Sequence, residues 1–113
     1  MTLSRARRQS SKTGSLFQRA VTGLLESIKD RPDDPDEYYL LGNAYNETDQ
    51  HDQAVRSYLK AIDLKSQFPQ ARYNLGVTYC MLGRTKEAGV QQEQLKRMDP
   101  LRASRLLQIM KEK

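Results

Sequence analysis

The stretches EYYLLGNAY (residues 37–45) and ARYNLGVTY (residues 71–79) repeat one pattern at a spacing of 34 residues, and no other feature restricts the fold of this chain so strongly. When residues 35–66 are set on residues 69–100, six positions are identical: Pro35/Pro69, Tyr39/Tyr73, Leu41/Leu75, Gly42/Gly76, Tyr45/Tyr79 and Ala54/Ala88. A fixed period of this size marks supersecondary units that cannot bury their apolar faces alone and therefore stack.

Each unit reads as two helices. In the first, Asp34 precedes Pro35-Asp36-Glu37. Asp34 is expected to cap the free N–H groups, Pro35 suits the first helical position, and Glu37 can close a capping box. The inward stripe is then Tyr38, Leu41, Tyr45 and Thr48, at helical spacing. A polar turn at Asp49-Gln50-His51 leads to a second helix with Ala54, Tyr58, Ala61 and Ile62 on one face. The next unit follows the same plan, with Leu75 and Tyr79, a turn at Gly83-Arg84-Thr85, and then Ala88, Leu95 and Met98. Gly42 and Gly76 stand inside helices, where glycine costs about 1 kcal/mol relative to alanine. The expected compensation is a partner helix too close to admit a larger side chain.

These residues resemble the tetratricopeptide repeat, with its W-x2-L-G-x2-Y core followed by A-x3-F and a closing proline. The first copy supplies Tyr38-x2-Leu41-Gly42-x2-Tyr45, then Ala54-x3-Tyr58, with Ser66 where proline is usual. The second supplies Arg72-x2-Leu75-Gly76-x2-Tyr79, then Ala88-x3-Gln92, and ends on Pro100. Arg72 and Gln92 replace aromatics, so packing there is expected to be adjusted by Tyr73 and Leu95. Upstream, Ala20, Val21, Leu25 and Ile28 match Ala54, Val55, Leu59 and Ile62, which makes residues 15–31 a half-repeat helix. The other reading of that segment is an amphipathic surface helix built on Leu16, Phe17, Val21, Leu24 and Ile28. Downstream, residues 101–113 form an expected capping helix that buries Ala103, Leu106, Leu107 and Met110. The resemblance therefore implies an all-α solenoid of antiparallel helix pairs: a half-repeat, repeats at 35–68 and 69–100, and a cap.

Composition bears on what such a fold does. No apolar run approaches the roughly 18 residues of a membrane span. One cysteine, Cys80, rules out an internal disulfide and favours a reducing compartment. The start of the chain lacks the apolar core of a secretory signal. The net charge of +5 is concentrated there: Arg5, Arg7, Arg8, Lys12 and Arg19 precede the first acid, Glu26. Residues 1–14 are polar and Ser-rich, and read as a disordered basic leader. Such a leader can hold phosphates, so nucleic acid or an anionic membrane are secondary partner classes, although no aromatics interleave for base stacking. Its Arg/Ser-rich, acid-free character also resembles a mitochondrial presequence, the alternative to a cytoplasmic location. Arg7-Arg8-Gln9-Ser10 has the form of a basophilic kinase site.

No catalytic constellation is expected. One histidine and one cysteine cannot build a structural zinc site, and no phosphate-cradling glycine loop is present. His51 reads as a turn residue in a solvated or locally hydrogen-bonded role. The acids Asp30, Asp33, Asp34, Asp36 and Glu37 lack calcium-loop spacing and are better explained by helix capping. The expectation is a non-enzymatic interaction module without cofactor, metal or small-molecule substrate.

Its binding surface should be the concave face made by the first helix of each unit. On the helix from Pro35 that face holds Asp36, Tyr39, Asn43, Asn46 and Glu47; on the helix from Pro69 it holds Gln70, Tyr73, Asn74, Val77, Cys80 and Met81. Tyrosines flanked by amides suit an extended peptide, with apolar area and hydrogen bonds for its backbone. One branch of the family grips C-terminal carboxylates with asparagines and basic residues. Asn43 and Asn74 match its asparagines, but Tyr39, Ser104 and Gln108 stand where it has basic residues.

Overall fold

The computed structural model describes residues 2–112, with side chains described from residue 15 onward. Among the described residues six α-helices follow one another: α1 (Thr2–Asp30), α2 (Pro35–Glu47), α3 (His51–Leu64), α4 (Pro69–Met81), α5 (Thr85–Met98) and α6 (Pro100–Glu112). They stack as antiparallel pairs, and among the described residues each helix packs on near neighbours. α1 lies on α2, α2 pairs with α3, α4 pairs with α5, and α6 closes the far end against α5 and α4. α2, α4 and α6 lie in one row and form the inner wall.

Local chemistry explains where the helices stop. Asp34 accepts a hydrogen bond from the Asp36 N–H at 3.0 Å, and proline occupies the first position of α2, α4 and α6. Glu37 does not close a capping box. Its carboxylate faces α1, accepting from Ser27 Oγ at 2.9 Å and lying 3.4 Å from Arg31, because these donors across the interface replace the cap N–H. α2 and α4 end alike, with the N–H of Gln50 on the Tyr45 carbonyl and that of Arg84 on the Tyr79 carbonyl, both 2.8 Å. The reversal needs a positive φ, supplied by Asp49 (60°) in one unit and Gly83 (74°) in the other.

The two helical glycines explain the closeness of the packing. A Cβ on Gly42 would lie 2.6 Å from the Tyr58 ring, and one on Gly76 would run into the Leu106 side chain. The main core joins α3 to α6 through Ala54, Tyr58, Phe68, Leu75, Tyr79, Leu95 and Leu106, among others. A smaller cluster of Val21, Leu41 and Ala44, flanked by Leu24 and Ile28, seats α1. Where aromatics are replaced, polar pairs fill the space: Arg72 donates to Gln91 Oε1 at 3.0 Å, and buried Gln92 donates to the Ala103 carbonyl.

Three further expectations change. α1 starts at Thr2, so the backbone of residues 2–14, expected as a disordered leader, continues the half-repeat helix. No proline interrupts that stretch, and Gly14 alone in it is a strong breaker. Ala20 is exposed where its equivalent Ala54 is buried, because among the described residues α1 packs on α2 alone, whereas Leu25 is exposed to the same degree as its equivalent Leu59. The stripe that docks is Val21, Leu24 and Ile28. Leu107 is also exposed, at 37%, since α6 turns Ala103 and Leu106 inward and no helix covers its other flank.

Candidate functional site

Along the row of inner helices runs a groove of about 660 Å³. α2 contributes Asn43, Asn46 and Glu47; α4 contributes Tyr73, Asn74, Val77 and Met81; Ile109 of α6 and Phe17 of α1 stand at its margins. Asp49, His51 and Tyr58 complete the lining. Seven of the eleven expected residues are thus brought together. The other four lie elsewhere. Asp36 and Gln70 are exposed in the first turns of their helices. Tyr39 is half-buried beneath the surface, its ring 5.1 Å from that of Phe68 and 6.2 Å from that of Tyr58. Cys80 is 2% exposed and belongs to the core. It follows Gly76 by one turn, on the face that α6 covers, so it cannot line the concave surface.

The polar floor of the groove is one connected network. Tyr58 donates its hydroxyl to Asn43 Oδ1, which also accepts from Asn74 Nδ2 at 2.9 Å. Asn74 Nδ2 reaches Tyr39 Oη at 3.5 Å. Asn46 Nδ2 donates to Thr78 Oγ1 at 2.8 Å and to Tyr58 Oη at 3.3 Å, and its Oδ1 lies 2.9 Å from His51 Nδ1. Thr78 in turn donates to the Asn74 carbonyl. Burial pushes the Tyr58 hydroxyl far above the ordinary phenol range, which keeps it protonated and donating. Two groups remain over: Asn43 Nδ2 and Asn74 Oδ1 have no partner among the described residues.

The groove is acidic at one end, where Glu47 and Asp49 stand, and no lysine or arginine lines it among the described residues. Ser104 and Gln108 of α6 are exposed outside it. A carboxylate clamp therefore has no cation to build on among the described residues. Among the described residues, no group of three or more His, Cys, Asp or Glu side chains is placed to hold a metal ion, and no helix is long and apolar enough to cross a membrane.

Sequence patterning reached α2 and α4 because their motif repeats. It missed Tyr58, which had been read as a core residue only; its ring is core, and its hydroxyl reaches the groove floor. His51, expected in a solvated or locally hydrogen-bonded role, begins α3 and is bonded to Asn46 five residues earlier. Ile109 and Phe17 come from the terminal helices, where no repeated pattern marks a face.

Antiparallel helix pairs stacked in register, with a continuous groove on their inner row, define a helical-repeat interaction protein. Family models described as "TPR repeat" and "Tetratricopeptide repeat" match residues 42–83 and 24–56, and the chain belongs to the tetratricopeptide repeat family. It is 36% identical over 72 residues to a peroxisomal targeting signal receptor of Candida albicans, and 32% identical over 72 residues to that of Eremothecium gossypii. Each match covers 64% of this chain but only 12% and 13% of the receptors, so the chain spans about one-eighth of their length. Among solved structures, MamA superposes with a TM-score of 0.80 at 25% identity, covering 86% of this chain and 58% of that one. The Arabidopsis OM64 TPR domain superposes with 0.79 at 20% identity over 96% of both chains. Fold and family make this chain a protein–protein interaction module.

Proposed function

We propose that the groove binds an extended segment of a partner protein. The observation that carries this reading is the pair of groups the network leaves over. Asn43 Nδ2 is a donor and Asn74 Oδ1 an acceptor, and the two amides are joined at 2.9 Å. Together they match the C=O and N–H that an extended backbone presents. Tyr73, Val77, Met81 and Ile109 offer apolar area for its side chains, while Glu47 and Asp49 favour a cationic residue at one end. The similarity to receptors named for a targeting signal supports a recognition role.

The test is affinity capture of partners from a cell extract by the full chain, followed by titration of the recovered segment. Asn74→Ala and Tyr73→Ala should each weaken binding roughly five- to thirtyfold, the effect of losing about 1–2 kcal/mol at a contact residue. Wild-type affinity in both variants would move the binding surface out of the groove. The alternative, a nucleic-acid adaptor acting through Arg5, Arg7, Arg8 and Lys12, concerns side chains outside the described ones.

A further inference from the structure

The opposite face of the first repeat carries a second concavity. Helical periodicity places Tyr38, Leu41 and Tyr45 around α2 from Asn43, Asn46 and Glu47, so the trough they line with α3 is turned away from the groove. It measures about 240 Å³, and Gln53, Arg56, Ser57 and Lys60 of α3 complete its lining. No carboxylate lines it. Arg56 and Lys60 are one turn apart and both exposed, and like charges at that spacing repel. Asp52 and Asp63 lie within one turn of them on α3, yet neither cation forms an ion pair among the described residues. Lys60 Nζ instead stands 5.9 Å over the Tyr38 ring, and the Tyr45 hydroxyl has no partner among the described residues.

The second repeat shows that the fold does not require this arrangement. At the places of Arg56 and Lys60 it has Val90 and Gln94. At the places of Tyr38 and Ser57 it has Arg72 and Gln91, which bond to each other and occupy the equivalent space. The first repeat leaves that space open and rims it with two cations that form no ion pair among the described residues.

We propose that this trough is a second docking site, which receives a carboxylate side chain from an acidic segment of a partner polypeptide. Arg56 and Lys60 supply the charge, and the hydroxyls of Tyr45 and Ser57 supply neutral donors. Tyr38 is not open for base stacking, because its hydroxyl is held on the Pro32 carbonyl at 2.9 Å and its ring is faced by Lys60.

The experiment follows backbone amide resonances of the full chain during titration with a synthetic ten-residue Glu/Ala peptide. The expected result is weak, salt-sensitive binding with shifts at Tyr45, Arg56, Ser57 and Lys60. Arg56→Glu/Lys60→Glu should weaken it about tenfold or more, whereas Tyr73→Ala in the groove should leave it unchanged. The milder Arg56→Gln/Lys60→Gln variant, with a thermal melt, separates lost binding from lost folding. Shifts confined to residues 2–14 or to the groove, or undiminished affinity in both charge variants, would overturn the proposal. Tighter binding of a single-stranded oligonucleotide at the same residues would overturn its assignment to a polypeptide.

Discussion

Gly42 and Gly76 occupy equivalent positions, but their neighbours differ in how freely they can yield. Tyr58 is 1% exposed and its hydroxyl is fixed by Asn43 and Asn46, so its ring cannot retreat from a new methyl group. Leu106 is a flexible side chain on the terminal helix, and α6 can shift outward. Gly42→Ala should therefore cost about 2–3 kcal/mol, the range of overpacked cores. Gly76→Ala should come out within about 1 kcal/mol of wild type, since helix propensity favours alanine by a similar amount. Chemical denaturation of both variants checks the order, and equal losses would contradict it. Asp49 makes the reverse case. Its φ of 60° is the conformation that Gly83 adopts at 74° in the next unit, and its side chain is 90% exposed. Asp49→Gly should stabilise by roughly 0.5–1 kcal/mol, a rise of a few degrees in Tm. The 3.8 Å approach to His51 that it loses is worth little at such exposure. The glycine of the second turn was visible in the sequence; that Asp49 shares its conformation became so only in the structure.

At the scale of the helix, the repeated motif made α2 to α5 legible, because two copies constrain one another. The terminal helices lacked that check. In α6 both Leu106 and Leu107 had been expected to bury, since two adjacent leucines cannot be told apart by periodicity when only one side of the helix has a neighbour. The structure separates them: Leu106 is fully buried against Gly76, and Leu107 is exposed. Leu106→Ala should cost about 2–4 kcal/mol, with the cavity adding to the transfer term. Leu107→Ala should cost under about 1 kcal/mol. Denaturant midpoints with unchanged slopes would confirm the difference; equal destabilisation would mean that α6 is rotated about its axis. The same reasoning explains the site. Motif positions predicted the inner residues of α2 and α4, but Cys80 was misplaced on it, and Tyr39 reaches its floor only through the hydroxyl. Both sit where tertiary neighbours, Phe68 and α6, cover a face that one helix alone presents as open.

The whole molecule is a short stack rather than a sphere. Its radius of gyration is 14.9 Å, against about 13 Å for a compact domain of this length. Its apolar interior is divided, with a main core from α3 to α6 and a smaller cluster that holds α1 on α2 alone. In a stack each unit contributes its own stability plus its interface with the next, so the element with one small interface opens first. α1 is that element. Val21 is 2% exposed at the centre of its cluster, and Val21→Asp places an unpaired charge in the contact that seats the helix. Amide hydrogen exchange should then show protection lost through residues 18–30 and weakened along the α1-facing side of α2. α4 and α5 should remain protected, because Leu75, Tyr79 and Leu95 do not depend on α1 for their burial. In the wild type, α1 amides should already exchange through an opening several kcal/mol below that of α4. Loss of protection throughout Val21→Asp, or one common opening energy in the wild type, would show that the stack folds as a single cooperative body and that α1 is as integral to it as α4.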